Sequence, residues 1–208
     1  MMLWVFKQLC APCNYLRIRH GSGILASKAV YDFVLPALLT GLTVVVTLAL
    51  DMRLSVFHND KFFSSLSGLL SILIGFYMAA LAAVATFDRA GIDNRLAGTD
   101  AKLRVRDPNG GEVKDKLLSY RQFISYLFGY ASFLSFVIYA CLLLLGSAWK
   151  RLEAVLASKP AVGWLMPDVL DPVSFVVIFF FLWQLFVTSL LGIYFLAERI
   201  QELHETKT

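Results

Sequence analysis

Four stretches of the chain contain no Asp, Glu, Lys or Arg: Phe33 to Leu50, Phe62 to Phe87, Gln122 to Trp149 and Pro172 to Ala197. About 20 apolar residues suffice to cross a bilayer as a helix, and inside hydrocarbon every backbone N–H and C=O has to pair within its own segment. The pattern predicts an all-α membrane protein with four transmembrane helices over about 33–50, 65–87, 123–146 and 173–197, together a transmembrane domain over 33–197. A juxtamembrane N-terminal segment, 1–32, precedes them and a short tail, 198–208, follows; a longer loop, 88–121, joins the second and third spans.

Polar punctuation places the helix starts. Ser119 and Gln122 match a capping box before span three, and Asp171 followed by Pro172 reads as the N-cap and first helical residue of span four. Tyr31 and Tyr120 at one end of the spans, and Trp149 and Trp164 at the other, fall where aromatic rings prefer the headgroup zone. In span two Ser67, Ser71, Gly75, Ala79 and Ala83 recur every fourth residue, a stripe with almost no side-chain bulk. Helices in a bilayer associate by close backbone approach at such stripes. It is a helix-packing surface, either against span one or three, the simpler reading, or against another subunit. Span three answers with Ser125 and Gly129. Span four, rich in Phe, reads as the lipid-facing helix.

Charge then orients the spans. Fourteen Lys and Arg fall in the N-terminal segment, the 88–121 loop and the tail, against five in the two other connections. The positive-inside rule puts both termini and the long loop in the cytoplasm. Composition adds little: hydrophobic residues make up 58% and charged residues 16%, and four uninterrupted apolar runs leave no polar face for water. No h-region or small-residue cleavage site precedes the first span, which is expected to remain as an uncleaved anchor.

Candidate chemistry is sparse. The four stretches carry no ionisable group of the kind that proton relays, ion carriers and voltage sensors place at depth, and no Gly-Pro interruption of the kind that transporters use. Tyr77 and Gln184 read as helix-to-helix hydrogen bonds. His20, His58 and His204 lie in three different loops and are not expected to form one metal site. Cys10 and Cys13 form a C-x-x-C pair, but two ligands are short of a structural zinc site. They read as inert thiols at the bilayer surface, with acylation as an alternative and metal or redox work as the remainder; Cys141 reads as apolar filler. No catalytic residue, cofactor or metal is expected, and the chain is not read as an enzyme.

In the long loop, Ala101–Arg106 and Glu112–Leu117 flank Pro108, Asn109 and Gly110, which is a β-hairpin pattern. Its alternation sets Lys102, Arg104 and Arg106 on one face as contacts for lipid headgroups or a protein partner. Stacking aromatics are missing between those charges, so direct nucleic-acid binding is not expected.

Residues Ser71 to Phe87, SILIGFYMAALAAVATF, and Arg121 to Phe136, RQFISYLFGYASFLSF, give the chain a resemblance to small multi-pass membrane proteins of bacterial anti-phage defence systems. It is most similar to the transmembrane effectors that accompany certain retron reverse transcriptases, with the membrane subunit of the Kiwa system second. The resemblance covers roughly residues 30 to 145 and carries no functional residue with it. It implies an oligomeric inner-membrane effector held quiet by a cytosolic partner, such as a reverse transcriptase with its RNA–DNA product, until infection is sensed. The effector would then compromise the membrane and stop the infected cell. A membrane sensor or anchor that recruits a cytosolic defence partner, and a small oligomeric channel unrelated to defence, are the alternatives.

Overall fold

The computed structural model describes residues 2–18, 28–86, 92–94, 101–106, 113–158 and 164–199. Helix α1 (Met2–Leu9) leads into a 3-10 turn, Ala11–Arg17, and α2 (Leu35–Ala49) is entered through a π turn, Val30–Val34. Then follow α3 (Asp60–Thr86), strands β1 (Lys102–Arg106) and β2 (Val113–Leu117), α4 (Tyr120–Ala157) and α5 (Asp171–Tyr194), the last flanked by π turns at Met166–Leu170 and Phe195–Arg199.

Four helical segments, Val30–Ala49, Asp60–Thr86, Tyr120–Leu156 and Asp168–Ala197, are long and apolar enough to cross a membrane. The last three reach well past the spans read from the sequence, because absence of charge marks the hydrocarbon zone whereas a helix runs on until a residue stops it. Lys150, Arg151 and Glu153 are helical, with no Gly or Pro between 147 and 157 to end the turn. At 1.5 Å per residue α4 is about 57 Å long, against a hydrocarbon core of about 30 Å.

Helix α3 packs on α4, α4 on α5, and α5 on α2. Consequently half of the apolar window of α4 and 44% of that of α5 is buried, against 17% for α2 and for α3. Span four is thus a central helix and not the lipid-facing one. It buries Phe175, Ile178, Leu182 and Leu185, joins α2 through Trp183 Nε1 donating to Thr43 Oγ1 at 3.0 Å, and joins α3 through a Tyr77–Ser189 hydroxyl contact. Tyr77 is therefore the helix-to-helix hydrogen bond the sequence suggests, and Gln184 is buried. Close approach is made possible by Gly146 and Gly192. A Cβ on Gly146 would stand 2.7 Å from the Phe63 ring, and one on Gly192 would stand 2.8 Å from Leu127 and 2.9 Å from Phe128.

The hairpin forms as expected, antiparallel with Leu103 opposite Lys116 and Arg104 opposite Asp115; its turn lies outside the described residues. It is mounted on the bundle through the start of α4. The first-turn N–H groups of a helix have no intrahelical partner. Here Tyr120 N donates to Asn94 O at 3.2 Å and Arg121 N to Ile92 O at 3.0 Å, and Gln122 N donates to Ser119 Oγ at 3.3 Å, the cap read from the sequence. Arg121 forks onto Asp93 at 2.9 and 3.2 Å and also donates to the last carbonyls of α3, Val84 and Ala85, at 3.4 Å. A residue counted as an orientation charge is thus a strut joining α3, α4 and residues 92–94.

Two aromatic assignments change. Trp164 and Tyr31 are exposed, as headgroup rings should be, but Trp149 and Tyr120 are buried. Both are held by protein contacts at the helix ends.

Candidate functional site

Among the described residues the buried charged side chains, Lys28, Asp32 and Asp171, fall in two clusters, one at each end of the bundle. At the end that carries the hairpin, Cys10 and Pro12 start the 3-10 turn, since proline fits the first turn of a helix and Cys10 supplies no side-chain cap. The turn drives Tyr15 into the bundle until it is fully buried. Its ring stacks on Tyr130 of α4 with centroids 5.1 Å apart and tilts against Phe123 at 6.4 Å. The Lys28 ammonium lies 3.5 Å from the Tyr15 ring centroid, donates to the Tyr15 carbonyl at 2.8 Å and pairs with Asp32 one helical turn ahead. The Tyr15 hydroxyl donates to the same carboxylate at 3.4 Å. Burial, with the Asp32 carboxylate adding to it, pushes the Tyr15 hydroxyl well above its usual range. Burial also lowers Lys28, and Asp32 opposes that shift. The result is a closed polar knot that fastens the N-terminal segment to α2 and α4.

At the far end α2 closes in a left-handed turn. Asp51 has φ +52°, Asp51 N donates to Leu48 O at 3.1 Å and Met52 N to Thr47 O at 3.0 Å, which is the Schellman pattern. The chain that follows brings Arg53 to Asp171 at 2.6 Å. Asp171 is fully buried at the start of α5 and also accepts from Trp149 Nε1 at 3.1 Å. His58 stands between two carboxylates, Nδ1 3.6 Å from Asp171 and Nε2 3.2 Å from Glu153, with Ser55 Oγ 2.8 Å from Nδ1. Asp171 is therefore not an N-cap. The helix already runs through Leu170, and the carboxylate tethers the 51–59 connection to α4 and α5 instead. Both clusters lie just outside the charge-free stretches, and both helices carry a buried carboxylate at the end, Asp32 and Asp171, where an intramembrane charge needs its partner close by.

The middle of the stripe on α3 is not covered by the chain itself. Ser71, Gly75 and Ala79 are exposed and Ser67 and Ala83 are half-buried, and a Cβ at Gly75 would meet nothing within 4 Å. The face that α3 turns inward is Leu66, Leu70, Tyr77 and Val84. Of the answering pair on α4, Ser125 is half-buried and a Cβ on Gly129 likewise meets nothing. The glycines that matter within the chain, Gly146 and Gly192, stand opposite large rings rather than small residues. On the hairpin, Lys102 is half-buried and engaged, Arg104 is exposed with Asp115 across the strands at 3.6 Å, and the Arg106 side chain is outside the described residues. His20 and His204 are also outside them. Cys10, Cys13 and Cys141 carry free thiols, and among the described residues no three His, Cys, Asp or Glu side chains come together as a metal-ligand set.

The i,i+4 spacing of Lys28 and Asp32 was a visible signal for the first cluster, and Asp171 beside the span boundary for the second. Nothing in the sequence pointed to Tyr15, whose partners are brought to it by the 3-10 turn. The chain matches no protein-family model, no curated protein and no solved structure.

Proposed function

We propose that this chain is a non-enzymatic, membrane-acting component of a bacterial antiviral system, a retron-type effector that compromises the inner membrane when a cytosolic partner releases it. The observation that carries the reading is the outer face of α3. A helix smooth enough for backbone contact leaves Ser71, Gly75 and Ala79 uncovered by its own chain, and a Cβ at Gly75 would meet nothing within 4 Å. Small residues in membrane helices serve close association, and a second copy on this face would use them. An assembly of copies can disturb a bilayer without an active site. The hairpin that leads into α4 is a surface on which a cytosolic regulator can act, and the resemblance of residues 71–87 and 121–136 supplies the biological setting.

The test is genetic and physical. In the complete operon, deleting this gene should abolish phage protection, and infection of wild-type cells should be followed by loss of membrane potential. Gly75→Leu should still accumulate in the membrane but lose cross-linked oligomers and protection together. Full protection without the gene would overturn the assignment. Protection without depolarisation favours a membrane anchor that recruits a soluble effector through the hairpin.

A further inference from the structure

A groove of about 370 Å³ runs between the 3-10 turn, α4 and α5. Its mouth at the hairpin end is formed by Cys13, Leu16 and Tyr130, its floor by the buried Leu134, Ile138 and Ile178, and one wall follows Val137 and Cys141 to Leu145, with Ser174 at the far end. Tyr130 to Leu145 is fifteen residues of α4, roughly 22 Å at 1.5 Å per residue, so the groove crosses about two thirds of a 30 Å hydrocarbon core. Its lining is almost wholly apolar. The rims at Val137, Val177 and Phe181 are exposed, so the slot opens sideways to lipid. The size lies within the range of small-molecule sites, and the length along α4 suits one extended chain.

The mouth is fixed and charged. A 3-10 turn has three residues per turn, which sets Cys13 and Leu16 one above the other, and the buried Tyr15 between them holds the turn against α4. Arg17 follows at once and is exposed, with no described carboxylate paired to it; the nearby Asp32 is taken by Lys28. Burial and then Cys10 raise the Cys13 thiol, and Arg17 opposes that shift.

We propose that this groove binds one acyl chain of an anionic glycerophospholipid from the leaflet on the N-terminal side, with the lipid phosphate on Arg17. The chain lies along Val137 and Cys141; the headgroup stays at the mouth, where a guanidinium in the headgroup layer attracts negative lipid.

Native mass spectrometry of the full-length protein, delipidated and then given phosphatidylglycerol or phosphatidylcholine, tests this. The wild type should keep one phosphatidylglycerol in preference to phosphatidylcholine. Arg17→Glu should weaken phosphatidylglycerol by about fivefold or more, the equivalent of about 1 kcal/mol per basic residue at a lipid surface, while still admitting a chain. Val137→Trp should fill the slot and abolish retention of both lipids. A second measurement needs no variant: Cys13 and Cys141 line the groove, so their reaction with a membrane-permeant maleimide should slow as phosphatidylglycerol is titrated in. Equal retention by wild type and both variants, or thiol rates unmoved by lipid, would mean ordinary annular lipid and overturn the proposal.

Discussion

Lys28 and Asp32 show how a charge can sit at the edge of a membrane span. Each is almost fully buried, and each is tolerable because the other is there, with the Tyr15 carbonyl and ring completing the shell around the ammonium. Removing one partner of a buried pair leaves an uncompensated charge and costs about 3 to 5 kcal/mol, whereas replacing both by apolar residues is often neutral. Lys28→Met and Asp32→Leu should therefore each lower thermal stability in detergent sharply, and the two together should recover most of the loss. Maleimide labelling of Cys13 adds a local readout: it should accelerate in the single variants, because Tyr15 no longer pins the turn. Additive losses in the double variant would show that the pair is not the anchor. The spacing of these two residues was legible in the sequence; their meeting with Tyr15 was not, since a contact seventeen residues back depends on where the 3-10 turn lands.

Among the elements, α5 and α3 exchange the roles that composition suggested. Phe is as much at home against lipid as against protein, and lipid tails are as apolar as Leu, so a Phe-rich helix carries no mark of which side is buried. The small-residue stripe marks where backbones are able to approach and not which neighbour does. Span number, the capping at Ser119 and the hairpin arms were readable because each rests on local physics, namely backbone pairing in hydrocarbon, an orphan N–H and strand alternation. Helix order was not, because it is decided by ring-against-glycine fits such as Phe63 on Gly146 that no periodicity announces. Two glycine substitutions separate the cases. Gly192→Leu drives a side chain into Leu127 and Phe128, which are fully buried and have nowhere to yield, and overpacking of this kind costs about 1 to 3 kcal/mol or more. Its unfolding temperature in detergent should fall well below that of Gly75→Leu, which meets no atom of its own chain. Equal melting of the two would contradict the packing described here.

For the whole molecule, four crossings return the chain to the side from which it started. The N-terminal segment, residues 92–94 and the hairpin therefore share one end of the bundle, tied by the Tyr15 knot and the Arg121 strut, while the Arg53–Asp171 tether holds the other. The positive-inside rule predicts which end faces the cytoplasm from the basic residues, fourteen in the N-terminal segment, the 88–121 loop and the tail against five in the two other connections, since Lys and Arg resist translocation where acidic residues contribute little. Several of those cations are engaged in the fold, Lys28 with Asp32 and Arg121 with Asp93. Orientation is set during insertion, before such pairs exist, so their later partners do not weaken the signal. Fusions of alkaline phosphatase and of green fluorescent protein at Thr208 and at Gly163 read the outcome in bacterial cells. The Thr208 fusion should fluoresce and lack phosphatase activity, and the Gly163 fusion should do the reverse. Phosphatase activity at Thr208 would place the hairpin outside the cell, and with it any regulator would have to act from the periplasmic face.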